Sequence, residues 1–120
     1  MHQFPKLNPI QSDLETRGYS ILRASNGLKL ISHLEVERPD LIIMDTRSSW
    51  PNSFSLCRAL RNGKYKTIPI FFLSNAATKE ESKKSYSCGC TQYFSIPSQL
   101  DSLYNKVREF AGCPRFEDPR

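Results

Sequence analysis

The chain has 120 residues, 38% hydrophobic and 24% charged, with a net charge of +5. That describes one domain with enough apolar material for a core, and no apolar stretch approaches the ~20 residues of a membrane-spanning helix. The basic excess is scattered rather than gathered on one face, so it favours solubility and an acidic partner, and nucleic-acid binding is not expected.

The opening residues Met1-His2-Gln3-Phe4-Pro5-Lys6 lack the apolar core of a signal peptide, and the expected compartment is the cytoplasm. The four cysteines, Cys57, Cys88, Cys90 and Cys113, are too few and too unevenly spaced for a disulfide framework. Cys88-Gly89-Cys90 has one intervening residue, not the two of common zinc and redox pairs, and no second pair follows. Reduced thiols in the cytosol are the expectation.

In chain order, Ser20–Ala24 reads as a short strand, broken by Asn26-Gly27. Leu30, Ile31 and Leu34 share one face of a helix over 28–36, which Pro39 stops. Leu41–Met44 is a continuous apolar run, read as a strand buried on both faces, and it halts at the carboxylate of Asp45. Phe54, Cys57, Leu60 and Arg61 place a helix over 54–62, ended by Asn62-Gly63. A second buried strand spans 68–73, with Pro69 tolerated at its start. A polar helix follows over 79–87, stopped at Gly89, and then a short strand over 92–95. The last helix runs over 98–110, with Ser98 as its cap and Leu100, Leu103, Tyr104 and Val107 as its stripe. Residues 1–110 form the domain; 111–120, with two prolines and no periodicity, form a tail or the start of a linker.

Strands alternating with helices predict an α/β fold, a doubly wound parallel sheet of the flavodoxin type. That type has five strands and only four are readable, so the first is short or missing. In such sheets chemistry sits beyond the carboxyl ends of the strands, which is where Asp45 falls.

Several fragments, in this order and spacing, resemble one family. They are Gly18-Tyr19, Ala24-Ser25-Asn26-Gly27, Arg38-Pro39-Asp40-Leu41-Ile42-Ile43-Met44-Asp45 and Phe54-Ser55-Leu56-Cys57-Arg58. Ile68-Pro69-Ile70-Phe71-Phe72-Leu73-Ser74 and Gly89-Cys90-Thr91-Gln92-Tyr93-Phe94-Ser95-Ile96-Pro97-Ser98 complete the set. Over roughly residues 8–110 the chain resembles the receiver domain of bacterial two-component response regulators. The resemblance implies phosphorelay signalling, in which a histidine kinase phosphorylates an aspartate. It makes Asp45 the phosphoacceptor position, Ser74 the switch hydroxyl and Tyr93 the switch aromatic.

Two parts of the family pattern are absent. The family's lysine before a proline corresponds to Ile96 before Pro97, and isoleucine offers phosphoryl oxygens neither charge nor donor. The acidic pair that helps hold Mg²⁺ falls at Met1 and His2 without a gap. With a short deletion in the first helix, Asn8-Pro9-Ile10 aligns with that helix's start and the pair falls at Lys6 and Leu7. Neither alignment supplies carboxylates. The proline and glycine usual in the next turn are replaced by Ser49 and Ser53, and Trp50 stands there as pocket cover, interface anchor or simple loop packing.

Two readings stand side by side. One is a degenerate receiver, a pseudo-receiver, serving as a phosphorylation-independent protein-interaction module with no cofactor and no enzymatic activity. Its candidate interface is Trp50, Lys83, Lys84, Tyr86, Tyr104 and Arg108, with Tyr93 nearby, where exposed tyrosines and arginines suit a partner. The other is a working receiver phosphorylated on Asp45 by a histidine kinase, with Mg²⁺ as its cofactor. The partner is a histidine kinase or another signalling protein. The missing first strand belongs at the centre of the sheet, where unpaired edges are avoided. Residues 2–7 with Pro5 against them, a strand from another chain in a homodimer, or residues upstream would each fill the gap.

Overall fold

The computed structural model describes residues 7–24, 26–47 and 52–112. Five helices, α1 (Leu7–Thr16), α2 (Gly27–Val36), α3 (Ser53–Asn62), α4 (Lys79–Ser87) and α5 (Leu100–Ala111), surround three strands, β1 (Ile42–Asp45), β2 (Ile70–Ser74) and β3 (Gln92–Ser95). The strands are parallel in the order β1-β2-β3, with Asp45 opposite Leu73 and Ser74 opposite Ser95.

Side chains alternate across a strand, and here both faces are covered. Ile42, Met44, Ile70 and Phe72 pack with Leu34 of α2 and Leu56, Cys57 and Leu60 of α3. Phe71, Leu73 and Phe94 point the other way, onto Ile10 and Leu14 of α1 and Leu103 and Val107 of α5. Phe71 meets Phe94 and Phe110 edge-on, at 5.3 and 5.4 Å between ring centroids. This is the doubly wound arrangement expected from the strand–helix alternation.

Three helices start on side-chain caps. Asn26 accepts from the Lys29 N–H at 2.9 Å, Asn52 from Ser55 at 2.9 Å and Thr78 from Glu81 at 3.0 Å. The Cys57, Cys88 and Cys90 thiols are buried, and burial pushes Cys57 and Cys90 up to about 12, a range of unreactive thiols. Cys113 lies outside the described residues.

Several expectations need correction. Residues 20–24 are not a strand: Ala24 is buried, but Leu22 is 48% exposed and the segment pairs with nothing in the described sheet. A strand exists only through its neighbour, and a cavity separates this segment from β1. β2 begins at Ile70 rather than 68, because the Ile68 N–H turns back to the Tyr65 carbonyl and Pro69 has no N–H. Ser98 does not cap α5. Its hydroxyl turns back toward Ser95, and the helix starts after Gln99 without a side-chain cap. α5 runs on to Ala111 and ends at Gly112, whose φ of 80° suits glycine. No described helix is long and apolar enough to cross a membrane.

Candidate functional site

The apolar run Ile42-Ile43-Met44 carries Asp45 to the carboxyl edge of the sheet, where it is only 5% exposed. Its Oδ1 accepts the Arg47 N–H at 2.7 Å, closing the turn that follows. Its carbonyl accepts the hydroxyl of Ser53, the fully buried first residue of α3. Asp45 thus ties the strand end to the next helix.

Ser74 ends β2 one strand over, 1% exposed, and its Oγ accepts the Ala76 N–H at 3.1 Å. Ile96 follows β3, and its N–H donates to the Ser74 carbonyl at 2.8 Å. Asp45, Ser74 and Ile96 therefore stand in a row on three adjacent strand ends. The Ile96 side chain does not join the polar site. It is 6% exposed and packs in the apolar layer with Phe71, Leu73, Phe94 and Leu103. The residues after Asp45 and Ser74 add two buried oxygens, Thr46 Oγ1 and Asn75 Oδ1, with no partner among the described residues. Buried acceptors left this way cost roughly 1–3 kcal/mol each unless a polar guest or water meets them.

Tyr93 on β3 is partly buried, not exposed. Its hydroxyl donates to Glu81 Oε1 on α4 at 2.5 Å, and its N–H donates to the Tyr86 hydroxyl at 3.2 Å. Burial, then the Glu81 hydrogen bond, push its phenol up to about 12, against a smaller opposing pull from the Ser74 hydroxyl. The switch positions Ser74 and Tyr93 are thus in contact, and Glu81 is a partner that the sequence reading missed.

The candidate interface residues divide. Lys83, Lys84, Tyr86 and Arg108 are exposed, and Lys84 Nζ sits 4.6 Å over the Phe54 ring. Tyr104 is not a free surface group. Its hydroxyl donates to Asp13 Oδ2 at 2.8 Å and its ring carries Arg17 at 4.2 Å, so it binds α5 to α1. Burial and then Asp13 raise its phenol to about 12. Trp50 lies outside the described residues.

A pH dependence follows from the two tyrosines. Each has a folded value of about 12 against an ordinary 10.0, so folding favours the protonated form. Their contribution is complete below pH 10 and is lost as pH rises through 12. Ultraviolet titration of tyrosinate should show two late-ionising tyrosines in the parent chain. One should remain in either Tyr93→Phe or Tyr104→Phe; ordinary titration of all five tyrosines would contradict the geometry.

The response regulator receiver domain profile matches residues 7–108, and the chain belongs to that family. It is a receiver domain of two-component signalling, a class of module that works with histidine kinases and other signalling proteins. It is 27% identical over 101 residues to the transcriptional regulatory protein CrdR of Helicobacter pylori, covering 84% of this chain and 47% of CrdR. This chain thus spans about half the length of that relative. It is 25% identical over 100 residues to the polar-differentiation response regulator DivK of Brucella anthropi, covering 82% of this chain and 81% of DivK. In structure it is similar to the receiver domain of a sensor histidine kinase from Pseudomonas aeruginosa, with a TM-score of 0.80, 22% identity and 93% of each chain covered.

Proposed function

We propose that this receiver works as a protein-interaction module whose state is not set by phosphorylation of Asp45. The observation that carries the reading is Ile96, which corresponds to the family's lysine and lies buried in the apolar layer. Phosphoryl transfer relies on preorganised positive charge around the equatorial oxygens, and an alkyl group buried among phenylalanines and leucines supplies none.

The residues do not fit a resident Mg²⁺ either. The Pseudomonas aeruginosa receiver has a magnesium ion coordinated in its active-site cleft. Here no group of three or more metal-ligating side chains forms among the described residues, and no aspartate or glutamate precedes Asp13 in the sequence. One carboxylate, with an oxygen already accepting the Arg47 N–H, is a poor donor set for a small, hard dication. The partner face is that of α4, β3 and α5, with Lys83, Lys84, Tyr86 and Arg108 presented to an acidic protein surface.

A second reading, a working phosphoacceptor, is favoured by the orphan oxygens of Thr46 and Asn75 beside Asp45 and by the Ser74–Tyr93 contact. One experiment separates the two. Incubation with a small phosphoryl donor and millimolar Mg²⁺, read by intact mass, should leave the chain unmodified. An adduct that disappears in Asp45→Asn would establish the second reading.

A further inference from the structure

A cavity of about 580 Å³ lies beside β1, walled by Ile43, by Ile10 and Leu14 of α1, by Ile21 and by Leu34 of α2. Protein interiors are close-packed, so an apolar space of this size is a seat for something. β1 is the outer strand of the described sheet. Ile42 donates to the Pro69 carbonyl at 2.9 Å and Thr46 to that of Leu73 at 3.0 Å, so the even-numbered residues turn their backbone groups toward β2. Backbone groups alternate sides along a strand, so those of Ile43 face the cavity, and no described residue bonds them. Apolar walls beside a bare strand edge fit an extended polypeptide.

The surrounding elements say which one. α5 follows β3 and runs back along the sheet, so its end marks the amino edge of the strands. The Tyr19 hydroxyl donates to the Gly112 carbonyl there, at 3.0 Å, so the chain leaving α1 lies at that edge. The Tyr104–Asp13 bond, 2.8 Å, holds the two helices side by side. The 10 residues of α1 cover about 15 Å, so Leu7 stands at the opposite edge, where Asp45 ends β1. The chain ahead of Leu7 enters from the Asp45 end. At about 3.3 Å per residue, a short extended stretch there matches β1 in length.

We propose that residues 2–5 close this cavity as a short strand parallel to β1, and that Lys6, at the turn into α1, sets its ammonium against the Asp45 carboxylate. Pro5, which has no N–H to pair, ends the strand. This rests on the reading of a receiver without a resident metal: a built-in cation takes the place of the dication.

Nuclear magnetic resonance on the full chain, at a concentration where it is monomeric, tests the strand directly. The Ile43 amide should show cross-strand contacts to the α-protons of residues 2–5 and exchange about 100-fold or more slower than an unprotected amide. Unprotected exchange overturns the proposal. So does protection that appears only on dimerisation, which gives the cavity to a second copy. For the charge, Lys6→Met should raise Mg²⁺ affinity by about fivefold or more, with the gain absent when Asp45→Asn is added. Unchanged affinity in Lys6→Met overturns the placement of Lys6. None of these readouts uses a phosphoryl donor, so an adduct on the parent chain would sink the interaction-module reading while leaving the Ile43 result intact.

Discussion

Arg61→Ala is expected to lower folding stability by about 3 kcal/mol in chemical denaturation, a large loss for a helix residue that is not fully buried. The guanidinium gathers backbone that no regular element satisfies. Nε donates to the Gly89 carbonyl at 2.7 Å, Nη1 to Ile68 at 2.6 Å and Lys66 at 3.1 Å, and Nη2 to Thr91 Oγ1 at 3.2 Å. It therefore joins α3 to the turn before β2 and the turn before β3. Removing it strands several acceptors at once, each worth roughly 1–3 kcal/mol when buried, and solvent reaching the site reduces the sum. Arg61→Lys should recover less than half of the loss, since an ammonium cannot span the same fork. Gly89→Ala should also destabilise, because its Cβ would stand 2.6 Å from Arg61 Cγ at a φ of +106°. In the Arg61→Ala background that clash is gone and only the backbone strain remains, so the two losses should add to less than their sum. A loss below about 1 kcal/mol for Arg61→Ala would mean that these bonds are replaced by water without cost.

The strands that were legible are those whose burial is a property of their own residues. Ile70–Ser74 is buried at every position, and a continuous apolar run announces this directly. Residues 20–24 looked equally strand-like, yet pairing depends on what lies alongside, and no sequence pattern within the segment carries that. α1 was invisible to periodicity. Ile10 and Leu14 are its buried apolar side chains, and Pro9 in the first turn reads as a break as readily as a start. It became visible only through the family resemblance. Ser98 misled for a local reason: the Gln99 side chain takes the Ser95 N–H at 2.6 Å, and the turn between β3 and α5 is built on that bond rather than on a serine cap.

The site was legible to the extent that it consists of strand ends. Asp45, Ser74 and Ile96 each terminate or follow an apolar run, and parallel pairing brings them together without further information. Partners from elsewhere were not legible. Glu81 reaches Tyr93 across the α4–β3 connection, and a glutamate on a polar helix looks like any solvated charge. Arg61 did leave a signal, since it falls beside Leu60 on the buried stripe of its helix, where an arginine needs a reason.

Ile96→Lys is expected to destabilise the chain by about 3 kcal/mol at neutral pH and to leave it without a phosphoryl adduct. The position corresponds to the family's lysine, so the substitution restores the residue type. The surroundings, however, are Phe71, Leu73, Phe94 and Leu103. An ammonium forced among them loses its hydration without a partner, and its pKa falls below the ordinary ~10.4, toward the ~5–6 documented for buried lysines. The folded variant then binds fewer protons than the unfolded chain across that interval, so its stability deficit should narrow as pH rises from about 6 to 10. Ile96→Met, which keeps volume and polarity, should cost less than about 1.5 kcal/mol. The opposite outcome is equally readable. If the introduced side chain instead swung out to meet Asp45, its pKa would rise, the deficit would vanish at neutral pH, and adduct formation would return. Denaturation of the two variants at pH 6, 8 and 10, with intact mass after phosphoryl donor, distinguishes a position that has become core from one that still faces the site.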